Sequence, residues 1–301
     1  MNIEKFTQEI ANNLKSVLPA KYATAKITIQ KVTKNNGTEK IGINVKSEES
    51  NMAPVIYMEK FYEKYEEGET IDSLLFEISE IIKDSSHESL DIEWFSNWEE
   101  VKDKILPRIV GRTCWNDKFM DDYVYDVVED LCVIFVVEIN TGNTGAGHIK
   151  IRNSHMQMWE IKEDDLITQA YQNMNKTENT VFKSMFDVMK EMMPEKIDDF
   201  EIEETGLYVL TNNTKCMGAS EILNKEFMEN LMNHIGDDEA IYLIPSSIHE
   251  WITMSEKMYN NTNDEEMIQM IRTVNQTQVP EEDWLSDHMY KYTKNGLEAI
   301  Y

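Results

Sequence analysis

The residues best suited to chemistry lie in Pro245-Ser246-Ser247-Ile248-His249-Glu250. An imidazole activates a nearby hydroxyl as a nucleophile when a carboxylate orients the ring. Ser247 and His249 are two apart, and alternate residues of an extended strand share a face. Glu250 adds a carboxylate beside them. His155 is a further candidate, because Asn153 and His155 share a face if Asn153-Ser154-His155 is extended. One expectation is therefore a hydrolase with His155, Ser247, His249 and Glu250 converging in a cleft. The plainer reading of each residue is a hydrogen-bonding group in a turn or between strands.

Other chemistries find less support. No His-Glu-x-x-His spacing occurs, and no acidic run has the glycine and twelfth-position Glu of a calcium loop. Neither a metal nor a cofactor is expected. The Gly-rich run from Thr141 to Gly147 has no Gly-Lys-Ser/Thr, and the residues after it alternate like a strand, so it reads as a hairpin turn and not a phosphate loop. Cys114, Cys132 and Cys216 are few, odd in number and far apart. They read as reduced, part-buried thiols of a cytoplasmic protein. Acidic pairs such as Asp121-Asp122, Asp164-Asp165, Asp198-Asp199, Glu203-Glu204, Asp237-Asp238 and Glu281-Glu282 read first as a solvated surface.

These groups must be held by elements whose periodicity is visible. Ala25 to Val32 and Ile41 to Val45 alternate apolar and polar residues around Lys34-Asn35-Asn36-Gly37, which predicts a β-hairpin. A short extended piece through Pro54 follows. Ile3, Phe6, Ile10, Leu14 and Val17 predict an amphipathic first helix, and Ile71, Leu74, Leu75, Ile78, Ile81 and Ile82 another, capped by Thr70. Ser85 to Asp91 is a polar linker. Helices are expected over Trp94–Val110, with a break near Pro107, and over 59–67, 164–173, 180–193, 224–235 and 265–274. Val133 to Ile139 is the best buried strand. Strands are also expected at 149–152, 207–210, 240–244 and 248–254, with a hairpin over 289–300. Hairpins and helices alternate without a strand-helix-strand rhythm. That favours an α+β fold of antiparallel hairpins with packed amphipathic helices over a doubly wound one. One compact unit over 1–301 is expected, with an N-terminal lobe at 1–85 and a larger lobe at 90–301.

The chain has 301 residues, with 56 acidic and 29 basic side chains and a formal charge of -27. A surface of that sign repels phosphate, which argues against direct binding of nucleic acid or of anionic lipid. The N-terminus has no basic head or apolar run, and no apolar stretch is long enough to span a bilayer. Aromatic residues make up 10% of the sequence, so the acidity belongs to a folded chain and not to a disordered tail. The leading expectation is a non-enzymatic interaction protein whose acidic and aromatic surface binds a protein partner, with charge favouring a basic one. Spaced carboxylates can also imitate the phosphates of a duplex.

Several stretches together resemble an uncharacterised bacterial family, a domain of unknown function common in Clostridia-type gut bacteria. They include Lys34 to Gly37, Ser50 to Tyr57, Tyr62 to Tyr65 with Gly68, and Val101 to Ile105. Asn153-Ser154-His155 with Trp159, Gln172-Asn173, Tyr208 to Asn212 and Gly218-Ala219 extend the likeness. The most specific pieces are Ile244 to Glu250, Val274-Asn275 and Leu285 to Tyr292. The resemblance covers nearly the whole chain. It implies a cytoplasmic, single-domain α+β protein, often carried on mobile elements, and it brings no established activity. A regulatory or counter-defence role would suit that setting. One departure is Met120 to Leu131, where relatives tend to carry a Pro-His-containing stretch.

Overall fold

A computed structural model describes residues 1–48, 53, 55–84, 92–111, 122–140, 146–192, 206–235 and 240–301. The Ser85–Asp91 linker, Cys114 and most of the Gly-rich turn lie outside them. So do Pro54 and several acidic residues, among them Asp121, Asp198-Asp199, Glu203-Glu204 and Asp237-Asp238. The fold is α+β, with antiparallel sheets throughout the described residues. The chain separates into two compact units, one within Met1–Glu93 and the other comprising Trp94–Asn140 and Ala146–Tyr301.

The N-terminal unit opens with α1 (Ile3–Leu14), whose N-cap Asn2 accepts a hydrogen bond from the Lys5 amide. Strands β1 (Lys26–Thr33) and β2 (Glu39–Lys46) form the expected hairpin, and β3 (Val55–Tyr57) adds to β2. Asn36 and Gly37 both take positive φ in the connection, 61° and 72°, conformations that Asn and Gly adopt at least cost. Helices α2 (Glu59–Glu66) and α3 (Ile71–Asp84) follow, and Thr70 caps α3 as its sequence suggests. The apolar stripes of α1 and α3 close over Ile43, Val45, Ile56 and Met58 to make one buried core.

The larger unit holds two sheets. In the first, β6 (Leu131–Asn140) is paired along one edge by β4 (Ile105–Val110) and along the other by β5 (Tyr125–Val128) and then β7 (Ala146–Lys150). The second runs in the order β13, β12, β10, β11, β9, β8. Its strands are β8 (Thr180–Ser184), β9 (Leu207–Asn212), β10 (Ile241–Ser247), β11 (Glu250–Ser255), β12 (Met289–Thr293) and β13 (Gly296–Ile300). A large core joins Ile105, Phe135 and Val137 of the first sheet to Leu210, Leu243 and Trp251 of the second.

Two predicted helices are corrected. Trp94–Val110 is not one helix broken at Pro107. It contains α4 (Trp98–Val101) between two 3-10 turns, and then strand β4. Pro107 sits opposite Phe135 on a strand at the sheet edge, where a residue with no N–H to donate is tolerated. Helix 180–193 begins late. Thr180–Ser184 pairs with Tyr208–Asn212, and only Met185–Met192 is helical. Phe182 stacks on Tyr208 at 5.0 Å, a cross-strand contact that outweighs the helical spacing of its neighbours. The remaining helices of this unit include α5 (Asn153–Trp159), α6 (Glu163–Lys176), α7 (Met185–Met192), α8 (Lys225–Ile235) and, after a single turn, Asp264–Gln278.

Candidate functional site

His249 lies at the tight β10–β11 turn, where Ser247 pairs with Glu250. Pro245 cannot donate to the ladder, and the register shifts between Pro245 and Ser247, so the strand bends as it enters the turn. Ser247 Oγ accepts the His249 amide at 3.1 Å, which fixes the ring's starting point. Ser246 donates to Glu250 Oε1 at 3.3 Å across the hairpin. Ser247, His249 and Glu250 are thus brought together, but Ser247 and Glu250 meet backbone and hydroxyl partners on the turn itself.

The imidazole instead reaches two residues distant in sequence. Its Nδ1 accepts the Met217 amide at 3.1 Å, and its Nε2 lies 3.5 Å from Asp283 Oδ1. The Cys216 side chain also interacts with the ring. Asp283 is placed by its own backbone, since its carbonyl accepts the Ile248 amide at 2.8 Å. Both the ring and the carboxylate are about one-third exposed, at 35% and 27%. Cys216 is half-buried and carries a free thiol.

Cys216 is fixed from both sides of its peptide. Asn212 Oδ1 accepts the Cys216 amide at 3.2 Å, and Asn212 Nδ2 donates to the Cys216 carbonyl at 2.9 Å. The residues either side of it, Lys215 and Met217, adopt left-handed backbone at φ 53° and 51°. For side chains other than Gly, Asn or Asp that conformation is costly, and such strain gathers at functional turns. Gly218 follows because nothing larger fits. A Cβ there would fall 2.5 Å from the His249 carbonyl oxygen and 2.8 Å from the Asn212 nitrogen. Trp251 Nε1 donates to the Ala219 carbonyl at 2.7 Å, which ties this loop to β11.

Opposing effects set the charge of His249. Hydrogen bonding to Asp283, and next to Cys216, favours the imidazolium, while burial disfavours it. The Met217 N–H also opposes a proton on Nδ1, but an amide dipole is weaker than a full carboxylate charge. The net direction is upward, to about 9.

His155 belongs to a different environment. Its segment is not extended but begins α5, where His155 Nδ1 accepts the Arg152 amide at 3.2 Å. Its ring packs edge-on against Phe95 at 5.0 Å and beside Trp159 at 5.8 Å. Burial, with help from the Arg152 charge, lowers its proton affinity. None of these partners is shared with His249.

A second Ser-x-His turn repeats the local arrangement. His288 donates its amide to Ser286 Oγ at 3.4 Å, and its Nε2 lies 3.2 Å from Asp130 Oδ2. Tyr290 donates to Asp130 Oδ1 at 2.6 Å. This cluster is more deeply buried than the first, with His288 8% and Tyr290 0% exposed. Burial works against an ionised Asp130, yet His288 and Tyr290 hold its proton affinity below the usual carboxylate range.

Sequence reasoning singled out His249 but not Cys216 or Asp283. The usable signal was the turn chemistry of Asn212 to Gly218, which surrounds the cysteine. Among the described residues no group of three or more His, Cys, Asp or Glu side chains is placed to hold a metal ion. Nor is any described helix long and apolar enough to cross a membrane.

Taken together, the chain is an α+β protein with a histidine-centred polar cluster at the turn of its larger sheet. It belongs to a family of unknown function, DUF5688, whose model matches residues 3–294. Neither the curated proteins nor the solved structures contain a match to it.

Proposed function

We propose that the protein is a hydrolase of acyl bonds in which Cys216 is the nucleophile and His249 the general base, with Asp283 orienting the ring. The observation that carries this reading is the meeting of a half-buried free thiol, an imidazole and a carboxylate on a backbone-locked loop. A thiolate is the reactive form of cysteine, and a neighbouring imidazolium stabilises it. In the reaction, the Cys216 proton passes to His249 and the sulfur attacks the substrate carbonyl carbon. The tetrahedral intermediate collapses by expelling an alcohol or amine, which takes the proton from His249. Water, deprotonated by His249, then attacks the thioester, and the thiolate leaves with the acid released. Ser247 supports this arrangement through the His249 amide and does not act as the nucleophile.

The test is labelling by iodoacetamide at neutral pH, with the modified residue mapped by mass spectrometry, alongside hydrolysis of an activated aryl ester. Cys216 should be the fastest-labelled thiol, and His249→Ala should slow its labelling by roughly ten-fold or more. Ester turnover should disappear in Cys216→Ala. Labelling that is indifferent to His249→Ala would remove this reading.

The -27 charge favours a second reading, a non-enzymatic cytoplasmic protein that binds a basic protein partner in a regulatory or counter-defence role. Free thiols at Cys132 and Cys216 suit a reducing compartment. Such a complex should weaken steeply with salt, because exposed charges are screened within about 8 Å at physiological ionic strength. A pull-down whose partners are retained at high salt would count against it.

A further inference from the structure

The sheet of β4 to β7 buries a charge that the thiol site does not use. Arg108, near the middle of β4, is 2% exposed. It bonds Glu138 Oε1 through a terminal nitrogen and approaches the Pro107 carbonyl at 3.4 Å, while its Nε is buried without a hydrogen-bond partner. His148 stands opposite Glu138 in the β6–β7 register, with its Nε2 3.5 Å from that same Oε1. Two nitrogen groups therefore crowd one oxygen of Glu138, and Oε2 is spared both.

Stability alone does not account for such a pair. The cost of removing two charges from water offsets most of their attraction, so a buried ion pair is a poor stabiliser. What the arrangement does achieve is a carboxylate held rigidly by supporting groups behind it, as in a preorganised binding site. His148 first, and then Arg108, lower the proton affinity of Glu138 against the effect of burial, to about 2, so it is charged at neutral pH.

Glu138 lines an open cavity of about 620 Å³, a size typical of small-molecule sites. The ionisable groups sharing it are Asp103, Lys104, Lys176 and Glu178. Lys104 Nζ lies over the Trp94 ring at 3.8 Å, which occupies its charge. Asn173 is also committed, since its amide donates to the carbonyls of Lys102 and Ile105 and accepts from Gln169. Three carboxylates thus stand against Lys176. A second recess of about 360 Å³ shares Lys176, Thr177 and Glu178 with the first and adds Glu226. The acidic groups form a track, from Glu138 past Glu178 to Glu226.

We propose that this cavity binds an organic ammonium ligand, a diamine or short polyamine, with one ammonium group on Glu138 Oε2 and the next along the track. A charge-assisted hydrogen bond meets the free oxygen, and the spacing of acidic groups favours more than one cationic nitrogen.

The test is calorimetric titration of the full chain with spermidine at fixed ionic strength. Saturable one-to-one binding is expected, weakened at least roughly ten-fold in Glu138→Gln. Because that variant strands Arg108, Glu178→Lys and Leu106→Trp provide readouts that leave the Arg108–Glu138 contact in place. Each should weaken binding by a similar factor while circular dichroism stays unchanged. Spermidine heats unaltered by Glu178→Lys and Leu106→Trp would overturn the proposal. So would displacement of spermidine by magnesium at equal charge concentration, the mark of a diffuse counter-ion atmosphere.

Discussion

Asp283 and Arg108 act on their partners in opposite directions, and pH separates the two effects. His249 rises from 6.5 to about 9 in the fold, so its ion pair stabilises fully below pH 6.5 and is lost as pH climbs through about 9. Glu138 falls from 4.5 to about 2, so its contribution is present above pH 4.5 and is lost as pH drops through about 2. Thermal melts across pH should therefore show a plateau between these limits. Asp283→Asn should flatten only the alkaline limb, and Glu138→Gln only the acid one. An alkaline limb that survives Asp283→Asn would mean that another group carries it. At this scale the sequence was informative about His249, because a Ser-x-His-Glu turn is a local pattern. It was silent about Cys216 and Asp283. Their approach depends on how Asn212 to Gly218 and Pro280 to Trp284 fold back, and no spacing along the chain encodes that.

Between residues and the whole, the elements were readable where one periodicity dominated. The alternation of Lys26 to Thr33 and the stripe of α3 each point to one structure, and each forms it. Thr180 to Ser184 was misread because Val181, Phe182, Met185 and Phe186 also fit a helical stripe. Pairing with β9 decided the matter, and strand pairing is a long-range effect. Pro107 misled in a similar way, looking like a helix break when it marks an edge strand. The tie between β11 and the Cys216 loop gives a prediction at this level. Trp251→Phe keeps the aromatic packing but leaves the Ala219 carbonyl unpaired, at a cost of about 1–3 kcal/mol in urea unfolding. Iodoacetamide labelling of Cys216 should change with it. Unaltered labelling would show that the loop holds its shape without the indole.

For the molecule as a whole, the two compact units carry separate cores. Phe6, Ile10, Leu14 and Ile78 serve one, and Phe135, Leu210, Leu243 and Trp251 the other. Ile10→Ala should cost about 2–5 kcal/mol in the N-terminal unit, and Leu243→Ala a similar amount in the larger one. Hydrogen exchange read by mass spectrometry distinguishes them, with protection falling over residues 1–84 in the first variant and over β9 to β12 in the second. Loss of protection across the entire chain in both would show a single cooperative unit. The antiparallel α+β architecture was evident from the order of patterns. The acidity was evident from counting, but counting does not reveal that one carboxylate, Glu138, is set apart from the rest by a buried arginine.

Gly218 also constrains the history of the sequence. Its missing side chain leaves room for the His249 carbonyl and the Asn212 nitrogen at one point, so mutation there has almost no neutral neighbours. Lineages that keep the turn should keep this glycine however far the rest diverges. Where it has been replaced, Asn212 and the Ser-x-His turn should have drifted with it, and an alignment of relatives would reveal the three changing together.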